Sequence, residues 1–63
     1  MQAYRVLARN LKTRQRIERN NLQAAPILEE AEAWRLAQAL AEQQQRISGE
    51  QWQAEVESYQ TRS

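Results

Sequence analysis

The sequence predicts an all-α protein: a helical hairpin or small three-helix domain that forms a homodimeric helical bundle. Three observations lead there. Apolar and charged residues recur at steps of three and four along most of the chain. The middle third is built from strong helix formers, Ala, Leu, Glu, Gln and Arg. The stretch "RISGEQW" carries the signature of a helix start. The expected elements within the single domain 1–63 are helix 1 over about residues 3–20, helix 2 over about 26–46 and helix 3 over about 49–60.

In the first segment, Tyr4, Leu7, Leu11 and Leu22 cluster on a helical wheel, with Val6 and Ile17 beside them. Arg5, Arg9, Lys12, Arg16 and Arg19 fall on the opposite side, within about 80° of one another. The stretch "AYRVLAR" also contains Tyr and Val, which leaves a short strand over residues 3–9 as the alternative. A strand followed by two helices would have the element order of a ribbon–helix–helix dimer, but the turn expected between the helices of that fold is not evident, so it ranks second. "NNLQAA", residues 20–25, reads as the connection, since Asn-Asn tolerates left-handed backbone at a helix end.

In the second segment, Pro26 suits the first turn of a helix, where its missing N–H costs nothing. Glu29, Glu30 and Glu32 lie near the positive end of the helix dipole and Arg46 near the negative end. One apolar row runs through Ile27, Ala31, Trp34, Ala37 and Ala41, and another through Ala33, Leu36, Leu40 and Ile47. Together they cover an arc of roughly 220°, which calls for cover on two sides.

In the third segment, Ser48 as N-cap and Gln51 as N3 form a capping box, with Ile47 and Trp52 at the two positions of a hydrophobic staple. Gly49 also fits the end of the preceding helix as a left-handed residue. Trp52, Val56 and Tyr59 continue at i, i+4 and i+7, and the helix is expected to fray near Thr61.

Composition narrows the function. The chain has no His, no Cys and no Asp, and all eight acids are Glu. Without imidazole or thiolate there is no plausible zinc ligand set and no Ser-His or Cys-His nucleophile. The single glycine, Gly49, excludes a Gly-rich phosphate loop. The expectation is therefore a non-enzymatic protein without cofactor or metal. No apolar run approaches the roughly 20 residues of a membrane span, and the charges from Arg5 onward do not suit a signal peptide, so a cytoplasmic location is expected. A chain of 63 residues with few large apolar side chains and no disulfide is marginal alone, which points to self-association.

Charge is divided along the chain. Residues 1–20 carry six cations against one acid, Glu18, a net +5; residues 27–57 carry Arg35 and Arg46 against seven glutamates, a net −5. The expected role is that of an adaptor, modulator or regulator acting through protein–protein binding. Its expected partners are a second copy of itself and an unidentified protein. Ile27, Ala31, Trp34, Ala37 and Ala41 form the expected partner or dimer interface, and Trp34, where exposed, is a better anchor candidate than Trp52. Arg5, Arg9, Lys12, Arg16 and Arg19 form the expected polar face, for an acidic partner or, in the alternative reading, for the phosphates of a nucleic acid.

Overall fold

The structure overturns the all-α expectation. The computed structural model, which describes residues 2–19 and 26–60, is a three-stranded antiparallel sheet with one helix lying across one of its faces. Strand β1 spans Gln2–Asn10, β2 spans Arg16–Glu18, helix α1 spans Glu30–Ser48 and β3 spans Trp52–Gln60. The strand order is β2-β1-β3, with β1 central. The expected first helix is thus a hairpin, the expected third helix is a strand, and the fold is mixed α/β rather than a homodimeric helical bundle. The short-strand alternative for residues 3–9 is the one realised, and it extends over all of β1.

The reason lies in pairing at long range. β1 and β3 are joined over their whole length, from Gln2 opposite Gln60 to Asn10 opposite Trp52. This ladder satisfies backbone groups that a local helix would have satisfied internally. Side chains then alternate with period two. Tyr4, Val6 and Ala8 of β1 and Trp52, Ala54 and Val56 of β3 turn towards the helix, where they build the core. Ala3, Arg5, Leu7 and Arg9, with Gln53, Glu55, Glu57 and Tyr59, occupy the opposite, open face.

Helix α1 is the one expected helix that forms, displaced to later residues. It buries Ala33, Ala37 and Ala41, flanked by half-buried Leu36 and Leu40. These positions fill an arc of about 140°, which suits a helix covered on one side only. The wider arc expected from two apolar rows is not used: Ala31 is exposed and Ile47 is 71% exposed. The small alanines let the helix lie close on Val6, Ala8 and Trp52. The helix begins at Glu30 because Ile27 is drawn into a bridge with Tyr4, whose N–H donates to the Ile27 carbonyl at 3.0 Å. Pro26 therefore precedes the helix instead of opening it. Glu30 and Glu32 in the first turn and Arg46 in the last are placed to suit the helix dipole, as the sequence implied.

"RISGEQW" is a sharp turn, but between a helix and a strand. Gly49 closes α1 in left-handed backbone, φ 72°, and its N–H donates to the Gln45 carbonyl at 2.9 Å. Ser48 is the last helical residue and not an N-cap. Its Oγ donates to the Gln44 carbonyl at 2.8 Å and accepts from the Glu50 N–H at 3.1 Å and the Trp52 indole N–H at 2.9 Å. The pairing of Ser48 with Gln51 and of Ile47 with Trp52 expected of a capping box and staple is replaced by these bonds. The connection expected over residues 20–25, Leu22 and the fraying near Thr61 lie outside the described residues.

Asn10 organises the β1–β2 turn. It is 2% exposed, and its Oδ1 accepts from the N–H groups of Lys12 and Thr13 at 2.8 and 3.1 Å. Its Nδ2 donates to Glu50 Oε1 at 3.1 Å, which ties this turn to the one after α1. The turn needs one left-handed residue, and Arg14 takes it at φ 63°. Left-handed backbone costs an L-residue with a Cβ roughly 1–2 kcal/mol.

Two outcomes follow from this architecture. Ala37→Leu overfills the seam between helix and sheet and is expected to destabilise the fold by about 1–3 kcal/mol, whereas Ala31→Leu on the exposed side changes stability by less than about 0.5 kcal/mol; urea unfolding of the two variants beside the parent checks this. Arg14→Gly relieves the left-handed strain at some entropic expense and is expected to stabilise by about 0.5–1 kcal/mol in the same measurement.

Candidate functional site

The open face of the sheet is a lattice of paired charge. The Arg9 Nε lies 3.2 Å from Glu55 Oε1, the Arg16 guanidinium 3.9 Å from Glu55 Oε2, and the Arg5 Nε 3.9 Å from Glu18 Oε1. Arg16 also reaches across β1 to hydrogen-bond Glu57. That bond and the Glu57 charge raise the Arg16 pKa, against a small desolvation, with Glu55 adding to the rise. The Arg5 guanidinium stands 5.2 Å from the centre of the Tyr59 ring, within cation–π reach. Leu7 sits in the middle, opposite Glu18 on one side and Glu55 on the other. It is only 8% exposed although it faces away from the helix; the aliphatic stems of the surrounding arginines give charged side chains the means to cover it. Exposed ion pairs contribute little individually, typically 0–1 kcal/mol. Glu55 Oε1 is buried and accepts no hydrogen bond among the described residues despite its nearness to Arg9.

The five expected basic residues do not form one row. Arg5, Arg9 and Arg16 share the open face, each with a glutamate partner. Lys12 projects from the β1–β2 turn, 3.9 Å from Glu50 and 80% exposed. Arg19 follows β2, and its N–H donates to the Val6 carbonyl at 2.9 Å. A phosphate approaching Arg5, Arg9 or Arg16 must therefore compete with carboxylates already in place. Sequence reasoning placed Glu55 and Glu57 on a third helix and so missed that they neutralise this face.

The expected interface row is also divided. Ala37 and Ala41 are buried in the core of the chain, and Ile27 packs half-buried against it. Ala31 remains exposed, and Trp34 is 41% exposed. Trp34 lines a shallow groove between α1 and β3 with Leu11, Gln38, Glu42, Trp52 and Ala54. Leu11 is itself 48% exposed, so this groove gathers two of the large apolar side chains that the fold leaves uncovered.

Beside the groove runs the outer edge of β3. No described residue pairs with it. Antiparallel strands alternate hydrogen-bonded and non-bonded pairs. The Leu11 N–H donates to the Gln51 carbonyl at 3.0 Å, which sets the phase of the β1–β3 ladder. Odd-numbered residues of β3 therefore bond to β1, and the backbone N–H and C=O groups of Ala54, Val56, Ser58 and Gln60 point outward. The Trp52 carbonyl, first in this outward series, already accepts from Gln45 Nε2 at 3.2 Å. The open run thus begins at Ala54. The helical reading passed over these residues, although the alternation in "WQAEVESYQ" is a strand signal.

Among the described residues no helix is long and apolar enough to cross a membrane. Removing the masking carboxylates tests the electrostatic reading of the open face. The parent is expected to bind a short DNA or RNA duplex weakly, with a small dependence on salt. The double variant Glu55→Gln, Glu57→Gln is expected to bind more tightly, with a steeper log–log salt slope, increased by about 0.9 for each phosphate newly contacted. Fluorescence anisotropy across a salt series reads both.

No family model matches the chain, and neither a curated protein nor a solved structure does.

Proposed function

We propose that this chain is a non-enzymatic binding module that works by protein–protein contact, with the outer edge of β3 and the adjoining groove as its docking surface. One observation carries the reading: the outward backbone groups of Ala54, Val56 and Ser58 meet no described partner, beside a groove that exposes Trp34 and Leu11. An edge of this kind is a template for another strand. The groove adds apolar contact, where a partly exposed Trp contributes heavily to affinity. The polar face of paired arginines and glutamates supports orientation and selectivity more than binding strength. The alternative of a nucleic-acid regulator is disfavoured by the glutamates already seated on Arg5, Arg9 and Arg16.

The test is affinity capture from nuclease-treated lysate with the parent, Trp34→Glu and Ser58→Pro as baits, each checked for folding by circular dichroism. Trp34 is on the surface, and the Ser58 N–H points away from β1, so both variants are expected to fold. Proteins retained by the parent and lost from both variants are the expected result. Retention that is unchanged in both variants, or that vanishes with nuclease, removes the reading.

A further inference from the structure

We infer that the occupant of the β3 edge is an extended segment of another protein in which cationic and apolar side chains alternate. The inference rests on the docking reading above and specifies its partner. Added to β3, such a segment would form a fourth strand bonded to the outward groups of Ala54, Val56 and Ser58. Its side chains would alternate between the two faces of the sheet. Those on the helix side would enter the groove at Trp34, Gln38 and Ala54. Those on the open side would stand next to Glu55 and Glu57.

Charge selects what fits there. Between Trp52 and Gln60 the strand carries Glu55 and Glu57 and no cation. The cations that neutralise them, Arg9 and Arg16, come from β1 and β2, on the inner side. The sheet is therefore polarised towards this edge, with Glu55 and Glu57 on β3, Arg5 and Arg9 on the central strand, and the remaining acid, Glu18, on the far strand β2 beside Arg16. The Glu57 side chain is 45% exposed, and a carboxylate accepts from several donors, so an incoming Lys or Arg joins the existing pairs without displacing them. Glu42, on the wall of the groove, adds to the same sign.

The same charges disfavour a second copy of this chain. In a symmetric antiparallel β3–β3 pair, a two-fold axis at Glu55 sets Glu55 against its own copy. An axis at Val56 sets Glu55 against Glu57, and one at Glu57 sets Glu57 against its own copy. Like charges directly opposite on neighbouring strands are destabilising. Axes at Ala54 or Ser58 set Glu55 against Gln53 or Glu57 against Tyr59 and bring no opposite-charge pair, so self-pairing gains nothing from charge in any of these registers, whereas a strand of opposite sign does.

The experiment uses three capped peptide probes of equal length: alternating Lys and Val, alternating Glu and Val, and a block arrangement of the first composition. Each is titrated into the full chain labelled with nitrogen-15, and amide exchange and chemical shifts are followed by residue. In the free protein the amides of Ala54, Val56 and Ser58 are expected to exchange fast and those of Gln53, Glu55 and Glu57 slowly. The Lys/Val peptide is expected to protect Ala54, Val56 and Ser58 and to bind about tenfold or more tighter than the Glu/Val peptide, from two opposite-charge pairs replacing two like-charge ones. Ser58→Pro removes one outward N–H and no β1 bond, and is expected to lose this binding, while Ser58→Ala retains it.

Equal binding of the Glu/Val peptide, or of the block peptide, overturns the charge rule while capture of proteins by the parent keeps the docking reading. Lys/Val binding without protection of the outward amides overturns the edge as its site. Protection that rises with protein concentration and no peptide makes the occupant a second copy and overturns the inference. Failure of every peptide to bind overturns it as well, and the docking reading then stands or falls on the capture experiment alone.

Discussion

The ladder between β1 and β3 is the constraint on which the rest of the molecule depends. It joins residues 58 positions apart in sequence at one end of its register, Gln2 with Gln60, and those on either side of the helix at the other, Asn10 with Trp52. Once it forms, every odd residue of both strands faces one way and every even residue the other. The even set is small and apolar near the middle, Val6, Ala8, Ala54 and Val56, so it accepts a helix at close range. The alanines of α1 answer it. The odd set carries arginine on β1 and glutamate on β3, so the face without a helix carries a set of ion pairs. One pairing decision thus generates both layers.

The ends of the ladder are secured by different chemistry. At one end, Asn10 and Ser48 act as hydrogen-bonding hubs that hold the two turns together, through Glu50 and the Trp52 indole. At the other, Tyr4 holds Ile27 through the backbone, and Arg5 lies over Tyr59. In between, Leu7 is 8% exposed on the face without a helix, flanked across the strands by Glu18 and Glu55. A chain this short has too few large apolar residues to fill two cores. The second face is accordingly polar, and the aliphatic stems of its arginines give it some apolar surface beside the one leucine.

The spacing of residues explains which sequence readings carried over. A step of four keeps two side chains on one face of a helix, and it also keeps them on one face of a strand, because four is a multiple of two. Arg5 and Arg9 therefore remain together, as do Trp52 and Val56. Steps of three and seven separate in a strand what a helix unites. Leu7 thus leaves Tyr4 and Tyr59 leaves Val56, while Lys12 leaves Arg5 because the chain turns after Asn10. The expected basic row broke where the chain turns between β1 and β2, and the apolar row of α1 divided because only one side of the helix is covered. Trp34 lies within the segment that does form a helix; its spacing left open whether it faces the core or a partner, and the packing of α1 on one side only leaves it 41% exposed.

The sequence by itself determined the central helix, its dipole-matched termini, the sharp turn at Gly49 and the opposition of a basic first third to an acidic remainder. These are local or compositional facts: helix propensity, one left-handed glycine, and net charge. Tertiary structure alone decided that residues 2–10 and 52–60 are strands, that Ala37 and Ala41 face inward, and that the arginines are already paired. The apolar spacing of both terminal segments fits a period of two as well as one of 3.6. Neither segment has a local interaction strong enough to choose, and the choice was made by the hydrogen bonds each supplies to the other across the length of the chain.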